Sequence, residues 1–157
     1  MNDPLLTHSA ICCQTHGVRL AVAQRLVQRV ASGLCSPAPS WAQPWIGGLC
    51  WMDEELLVVV DPSGALSALP NPVPRRPLLV VVAPIAHLPR WALAVESAQE
   101  HVQIERHLAV HARPANWPCP PEWLQSGHDA AGRPLAWLDV ARVAQRLATG
   151  YQALAMN

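Results

Sequence analysis

Phenylalanine and lysine are absent from this 157-residue sequence, and tyrosine occurs once. Only 14% of the residues are charged, and the formal net charge at pH 7 is zero. Surfaces that bind nucleic acid or anionic membranes need clustered positive charge, so we expect neither as a partner. Half of the residues are apolar, which is enough to build a buried core in one domain.

Long apolar runs are also missing. No window approaches the ~18 residues of a transmembrane helix. A signal peptide has a basic start followed by an apolar stretch, and the amino terminus has neither. We therefore expect no membrane insertion and a cytoplasmic location.

The five cysteines have no regular spacing and include no Cys-x-x-Cys motif. Cys12 and Cys13 are adjacent, and neighbours on a strand point to opposite faces. This pattern indicates reduced thiols in a core and not a disulfide framework. The full set is Cys12, Cys13, Cys35, Cys50 and Cys119.

One stretch predicts a core β-hairpin. Its strands are Ile46–Trp51 and Leu56–Asp61, joined by a turn at Met52–Glu55. The second strand is apolar on both faces and rich in β-branched residues, as in strands covered on both sides. Gly47 and Gly48 indicate a bulge or a close backbone approach.

The rest of the chain is also mostly β. Leu26–Val30 fits a strand, although Val22, Leu26 and Val30 are four apart and allow a helix. Asp139 is a good N-cap for a helix with the sequence VARVAQRLA. The other predicted strands are Ala10–Thr15, Val18–Ala23, Leu78–Ala83, Trp91–Val95, Glu100–Leu108 and Pro134–Leu138.

A weak internal repeat divides the chain. Leu57–Leu66 and Leu135–Leu147 each run from a strand to an aspartate and then to a helical stretch. They lie on either side of the proline-rich segment Leu69–Pro77, which is typical of a linker. Two similar halves would suit two small β-barrels side by side.

With these elements in place, the chain resembles the CheW-like domain, the coupling module of bacterial chemosensory arrays. The resemblance is carried by Trp45-Ile46-Gly47-Gly48 and by Val59-Val60-Asp61. Asp61 follows Gly48 by thirteen residues, as the family motif requires. The matching elements extend from about Ser9 to Ala148.

The resemblance implies a fold and a function. It implies two SH3-like five-stranded β-barrels side by side, with a short C-terminal helix. They would form a single domain over 9–148, with tails at 1–8 and 149–157. Subdomain 1 would cover about 18–77, and subdomain 2 about 78–138 with exchanged terminal elements. It also implies no enzymatic activity, no cofactor, and binding to the regulatory domain of a CheA-type histidine kinase and to a chemoreceptor or other array protein.

One departure from the family concerns the hairpin turn. The family usually has Arg-Gly where this chain has Asp53-Glu54, and a proline where it has Val58. Because the family arginine is associated with its signalling surface, the reversed charge indicates a divergent adaptor, of a pilus-motility or other alternative chemosensory system. The residues that we expect to bind the partner are Trp45, Ile46, Gly48, Asp53, Glu54 and Leu57.

Two other function classes remain open. The His and Cys residues allow a small metal-dependent hydrolase, with His101, His107, His111 and Cys119 as ligands, or Cys119 as a nucleophile beside His111 or His128. The segment His107–His111 lacks the glutamate of a zinc-protease helix, so we expect no metal site and no catalytic residue. The second alternative is an SH3-like module that recognises a proline-rich peptide.

Seven tryptophans must partly replace the missing phenylalanines. We expect Trp91 and Trp137 to lie in the core. Trp41 and Trp117 occur in proline-rich segments and fit a core or an interface equally well.

Overall fold

Apolar and β-branched segments form eleven strands in the described part of a computed structural model, which covers residues 7–15, 17–38, 42–62, 76–106, 117, 119–129 and 131–155. One α-helix follows the last strand. The strands are β1 Thr7–Thr15, β2 Val18–Ala23, β3 Val27–Ser32, β4 Cys35–Pro37, β5 Ile46–Met52, β6 Glu55–Val60, β7 Leu78–Val82, β8 Trp91–Val95, β9 Ser97–Arg106, β10 Leu124–Asp129 and β11 Pro134–Leu138, and the helix is α1 Val140–Ala155.

The strands form two separate sheets. The first is a closed barrel with the order β1-β2-β11-β10-β9, and the second is a six-stranded sheet with the order β3-β7-β8-β6-β5-β4. This confirms a mostly β fold with two β units side by side and a C-terminal helix. The second unit has six strands where five were predicted, because the three-residue strand β4 pairs with β5.

The strands are grouped into the two sheets by pairing between distant segments, and not by their position before or after the proline-rich segment. Strands β3 to β8 form one sheet, and β1, β2 and β9 to β11 form the other. The division into 18–77 and 78–138 differs from this grouping at β2, β7 and β8. The reason is physical: β2 pairs in parallel with β11, and β8 pairs in parallel with β6. Pairs between segments so far apart in the chain cannot be predicted from local composition.

The two sheets share a hydrophobic core. It includes Leu20 from the barrel, Val58 and Trp91 from the second sheet, and Val143 from the helix, all buried. The helix buries its apolar face in this core, and the predicted N-cap is present, since Asp139 Oδ1 accepts a hydrogen bond from the Arg142 amide at 3.1 Å. The helix continues to residue 155, so part of the segment predicted as a tail is helical.

The cysteines are free and buried, as predicted. Burial raises the pKa of the Cys13 thiol to about 12, and the neighbouring Cys12 adds to the shift. A thiol with such a pKa is almost entirely protonated at neutral pH. Cys13 therefore acts as a small core side chain.

Tryptophan fills much of the core in place of phenylalanine. Trp91 and Trp137 are buried, as predicted. Trp117 also belongs to the core, and its Nε1 donates a hydrogen bond to the backbone oxygen of Pro120 at 3.2 Å. Trp41 lies outside the described residues.

A buried carboxylate holds the turn between β10 and β11. Asp129 Oδ1 accepts hydrogen bonds from the backbone amides of Ala131 at 3.0 Å and Arg133 at 2.9 Å. Its Oδ2 accepts from Arg133 Nε at 2.9 Å and from Arg19 Nη2, on β2, at 3.1 Å. The backbone hydrogen bond from Arg133, followed by the hydrogen bond from Arg19, lowers the pKa of Asp129 to about 2. The ionised carboxylate therefore joins β2 to the end of β10 and to the turn that leads into β11.

We expect this carboxylate to make stability depend on pH. Because the pKa of Asp129 is about 2 in the folded chain and about 3.8 when unperturbed, its contribution is present above pH 3.8 and is lost as the pH falls toward 2. Asp129→Asn should lower the melting temperature at pH 7 by roughly 5 °C and flatten its fall in that range. Circular dichroism melts between pH 2 and pH 7 measure both effects. Glu54→Gln, at an exposed position without an ion pair in the described part of the chain, is the control, and an equal pH slope for Asp129→Asn and the unmodified protein would contradict this role.

Candidate functional site

The hairpin of β5 and β6 lies within the second sheet, between β8 and β4, and ends in a two-residue turn. Trp51 lies opposite Leu56, and Met52 lies opposite Glu55. The strand bounds agree with the predicted hairpin to within one residue. The predicted bulge is also present, since the register shifts between Ile46 and Gly48.

The turn has a backbone conformation that is unfavourable for the two residues that form it. Asp53 and Glu54 have φ angles of 50° and 62°, in the left-handed region. Two consecutive positive φ angles match the twist of a tight hairpin, but they favour Asn-Gly or Asp-Gly. A residue with a Cβ costs about 1 kcal/mol or more in this conformation. Glu54, at the position where the resemblance implies glycine, carries that cost.

Two of the three acidic residues at the turn have partners within the chain. Asp53 forms an ion pair with Arg29 on β3, and Glu55 forms one with Arg90, just before β8. The reversed charge at Asp53 is thus balanced internally. In the described part of the chain, Glu54 is exposed and has no ion pair.

Gly48 is required by a close approach of β4. Its φ angle is 153°, which favours glycine, and a Cβ at this position would overlap the backbone oxygen of Ser36. The predicted close backbone approach is therefore confirmed. Gly48 is buried and shapes the hairpin from within.

The other predicted partner-binding residues lie at different depths. Leu57 is buried in the core of the second sheet, and Trp45 is buried against Trp123, with ring centroids 4.9 Å apart and an interplanar angle of 77°. Ile46 is half-buried. Asp53 and Glu54 face solvent. The structure thus places only the turn residues of this set fully at the surface.

Three large apolar side chains are exposed beside this turn, and we refer to them as the apolar patch: Leu34, Trp51 and Leu56. Their exposed fractions are 61%, 65% and 50%, in that order. Trp51 and Leu56 are cross-strand partners. Continuing the Cys35–Cys50 register by one residue places Leu34 beside Trp51. The sequence did not reveal this patch. The hairpin strands are apolar on both faces, so the sequence does not show which of their residues the rest of the chain covers.

The apolar patch continues a face of the hairpin that is otherwise covered. Ile46 lies opposite Val60, and Leu49 lies opposite Val58. These two rows pack into the core shared with the barrel. Because side chains alternate along each strand, Trp51 and Leu56 of the apolar patch lie on the same face as these two rows. They form the next row, which the barrel no longer covers. Grouped exposed apolar residues of this kind are typical of interaction sites.

A small cavity lies next to the turn. Its volume is about 100 Å³, and its lining includes Gln28, Arg29, Asp53, Glu55 and Arg90. Sites for small molecules are usually ~300–1,000 Å³ and mostly apolar. Its charged groups are already paired with each other, so the cavity offers no evident ligand site.

The structure gives no support to a catalytic or metal centre in the part that it describes. Burial, with a further contribution from Asp61, raises the pKa of Cys119 to about 12, which keeps the thiol protonated. His107 and His111 lie outside the described residues, and the side chain of His101 is not described. Among the side chains that are described, no group of three His, Cys, Asp or Glu residues could hold a metal ion. Within the same limits, no helix is both long and apolar enough to cross a bilayer.

Comparison with known proteins identifies the fold. No family model matches the chain, and no curated protein matches it in sequence. Among solved structures, it is similar to the crystal structure of the scaffolding protein TtCheW from Thermoanaerobacter tengcongensis, with a TM-score of 0.62 and 10% identity. The match covers 86% of this chain and 90% of that one. The chain therefore has a CheW-like fold with a divergent sequence, as its motifs predicted.

Proposed function

We propose that this protein is a non-catalytic cytoplasmic adaptor of a bacterial chemosensory system. It would couple the regulatory domain of a CheA-type histidine kinase to a chemoreceptor or to another array component. The CheW-like fold supports this class of function. The observation that carries the proposal is the apolar patch, which extends a covered sheet face to the surface beside a charged turn.

The hairpin would act as the docking element, with a division of roles among its residues. Asp53 and Glu54 would contact the partner directly, since both are exposed. Trp45, Gly48 and Leu57 are buried and would fix the shape of the hairpin. Ile46, which is half-buried, would support the base of the docking face.

Isothermal titration calorimetry tests this function. The protein is titrated with the purified regulatory domain of a CheA-type kinase from the same organism, and then with the signalling tip of a chemoreceptor. We expect saturable binding to the kinase domain, with a negative heat-capacity change because the apolar patch becomes buried. Absence of binding to both partners would contradict the adaptor function.

A further inference from the structure

We propose that Cys35 and Cys50 are a redox modification site, at which a peroxide oxidises the two thiols to a reversible disulfide that ties the edge strand β4 to β5. The proposal goes beyond the adaptor function and does not depend on it. It assigns Cys35 as the thiol that the oxidant meets and Cys50 as the thiol that completes the bond.

The two cysteines face each other across neighbouring strands. Cys35 on β4 lies opposite Cys50 on β5 in an antiparallel pair. In such a pair, the Cα atoms of opposed residues are about 4.5–5.5 Å apart, and a disulfide needs about 4.4–6.8 Å. Both side chains belong to the same buried cluster of the second sheet. The backbone therefore already holds the two residues at the separation that a disulfide requires.

The two sulfur atoms also lie against the same residue, Gly33. The Cys35 thiol donates a hydrogen bond to the backbone oxygen of Gly33 at 3.8 Å, and a Cβ added at Gly33 would lie 2.6 Å from Cys50 Sγ. Burial raises the pKa of the Cys35 thiol to about 12, and a hydrogen bond with the Cys50 thiol adds to the shift. The thiols are therefore in mutual contact in the reduced protein.

This arrangement distinguishes Cys35 and Cys50 from the other cysteines, all of which belong to the described residues. Cys12 and Cys13 on β1 lie opposite residues other than cysteine on both neighbouring strands. Cys119 lies outside the strands. We therefore expect oxidation of the folded chain to form one specific disulfide within the chain.

The reaction balances with hydrogen peroxide as the oxidant. The Cys35 thiolate attacks one peroxide oxygen, the O–O bond breaks, and the other oxygen leaves as water with the thiol proton. Cys35 is then a sulfenic acid. The Cys50 sulfur attacks the Cys35 sulfur, the S–O bond breaks, and the hydroxyl leaves as a second water with the Cys50 proton. Two thiols and one peroxide thus give one disulfide and two waters.

The edge position of β4 determines the order and the rate of these steps. Strand β4 has three residues and pairs with β5 alone. Cys35 is 8% exposed and Cys50 is 0% exposed, so a peroxide reaches Cys35 first. Because the thiolate is the reactive form and burial keeps Cys35 protonated, the reaction needs a local opening of β4. We therefore expect oxidation to be slower than for an exposed thiol.

Once formed, the disulfide would hold β4 in place. A short edge strand has few backbone hydrogen bonds, so it opens easily in the reduced protein. A covalent bond to β5 prevents this opening and also restricts the unfolded chain. Leu34 of the apolar patch directly precedes Cys35, so its position beside Trp51 is fixed as well. The oxidised protein should therefore be the more stable form.

Peptide mapping of the full chain tests this proposal. The reduced protein is treated with hydrogen peroxide at neutral pH, the remaining thiols are alkylated, and the chain is digested with chymotrypsin, which cuts at Trp41 and Trp45 between the two cysteines. Mass spectrometry should find a peptide pair that is joined through Cys35 and Cys50 and that dithiothreitol separates. The melting temperature should rise by roughly 5–10 °C on oxidation and return on reduction.

Cysteine variants provide the controls. Cys35→Ala and Cys50→Ala should each abolish the link and the rise in melting temperature, whereas Cys119→Ala, at another buried cysteine, should keep both. The mapping itself uses the unmodified protein, so its result does not depend on whether a variant folds. If peroxide leaves Cys35 and Cys50 open to alkylation, joins other cysteines, or joins separate chains, the proposal is overturned. A Cys35–Cys50 link with an unchanged melting temperature would overturn the claim that the disulfide holds β4 in place.

Discussion

Gly48→Ala should destabilise the protein by about 4 kcal/mol or more, a large share of the ~5–15 kcal/mol by which native domains are stable. Two causes act together. The φ angle of 153° is unfavourable for alanine, and the new Cβ would overlap the backbone oxygen of Ser36 on β4. Backbone atoms cannot rotate away as a flexible side chain can, so β4 and β5 would have to separate. Urea denaturation followed by circular dichroism measures the change in the free energy of unfolding.

Gly132→Ala separates the two causes. Gly132 has a φ angle of 77°, also unfavourable for alanine, but no atom lies within 4 Å of a Cβ built there. We expect it to cost only about 1 kcal/mol. If both alanine variants lost the same stability, the close approach of β4 would not be the reason for glycine at position 48.

Trp123→Ala should destabilise the protein by about 3–5 kcal/mol. Trp123 lies in a short 3-10 turn before β10, in the barrel, and is 1% exposed. Its ring meets Trp45, just before β5 of the second sheet, in an edge-to-face contact. Removing the ring leaves a cavity where the two sheets join. Denaturation with guanidinium measures the loss.

Trp51→Ala is the matched control for this prediction. It removes the same side chain from a position that is 65% exposed, and it should change stability by about 0.5 kcal/mol or less. A large loss at Trp51 would show that the apolar patch is part of the folded core and not a free surface. Retained stability together with weakened partner binding is what the adaptor proposal requires.

The sequence predicted local elements well because their signals are local. The hairpin follows from two apolar strands around a polar turn, and the start of the helix follows from the N-cap Asp139. Gly47 and Gly48 indicated a bulge or a close backbone approach because glycine forgoes packing inside a strand, and the structure has both. Each of these inferences needs only neighbouring residues.

Long-range pairing and surface exposure could not be predicted in the same way. The parallel pairs β2–β11 and β6–β8 join segments far apart in the chain, and nothing in either segment specifies the other. Trp51 and Val58 occur in equally apolar strands, yet one is exposed and the other buried, because the barrel covers only part of the hairpin. The ion pair between Asp53 and Arg29 likewise depends on the placement of β3 beside the turn.

The most direct test of the central claim is amide hydrogen exchange, measured by mass spectrometry on the protein alone and saturated with the kinase regulatory domain. The proposed docking mode predicts slower exchange on binding in two segments, residues 33–36 and 49–57. Trp51→Ser should lose that protection at equal partner concentration. Protection confined to the barrel strands β9 to β11, with the hairpin unchanged, would contradict the claim that this chain docks its partner through the apolar patch.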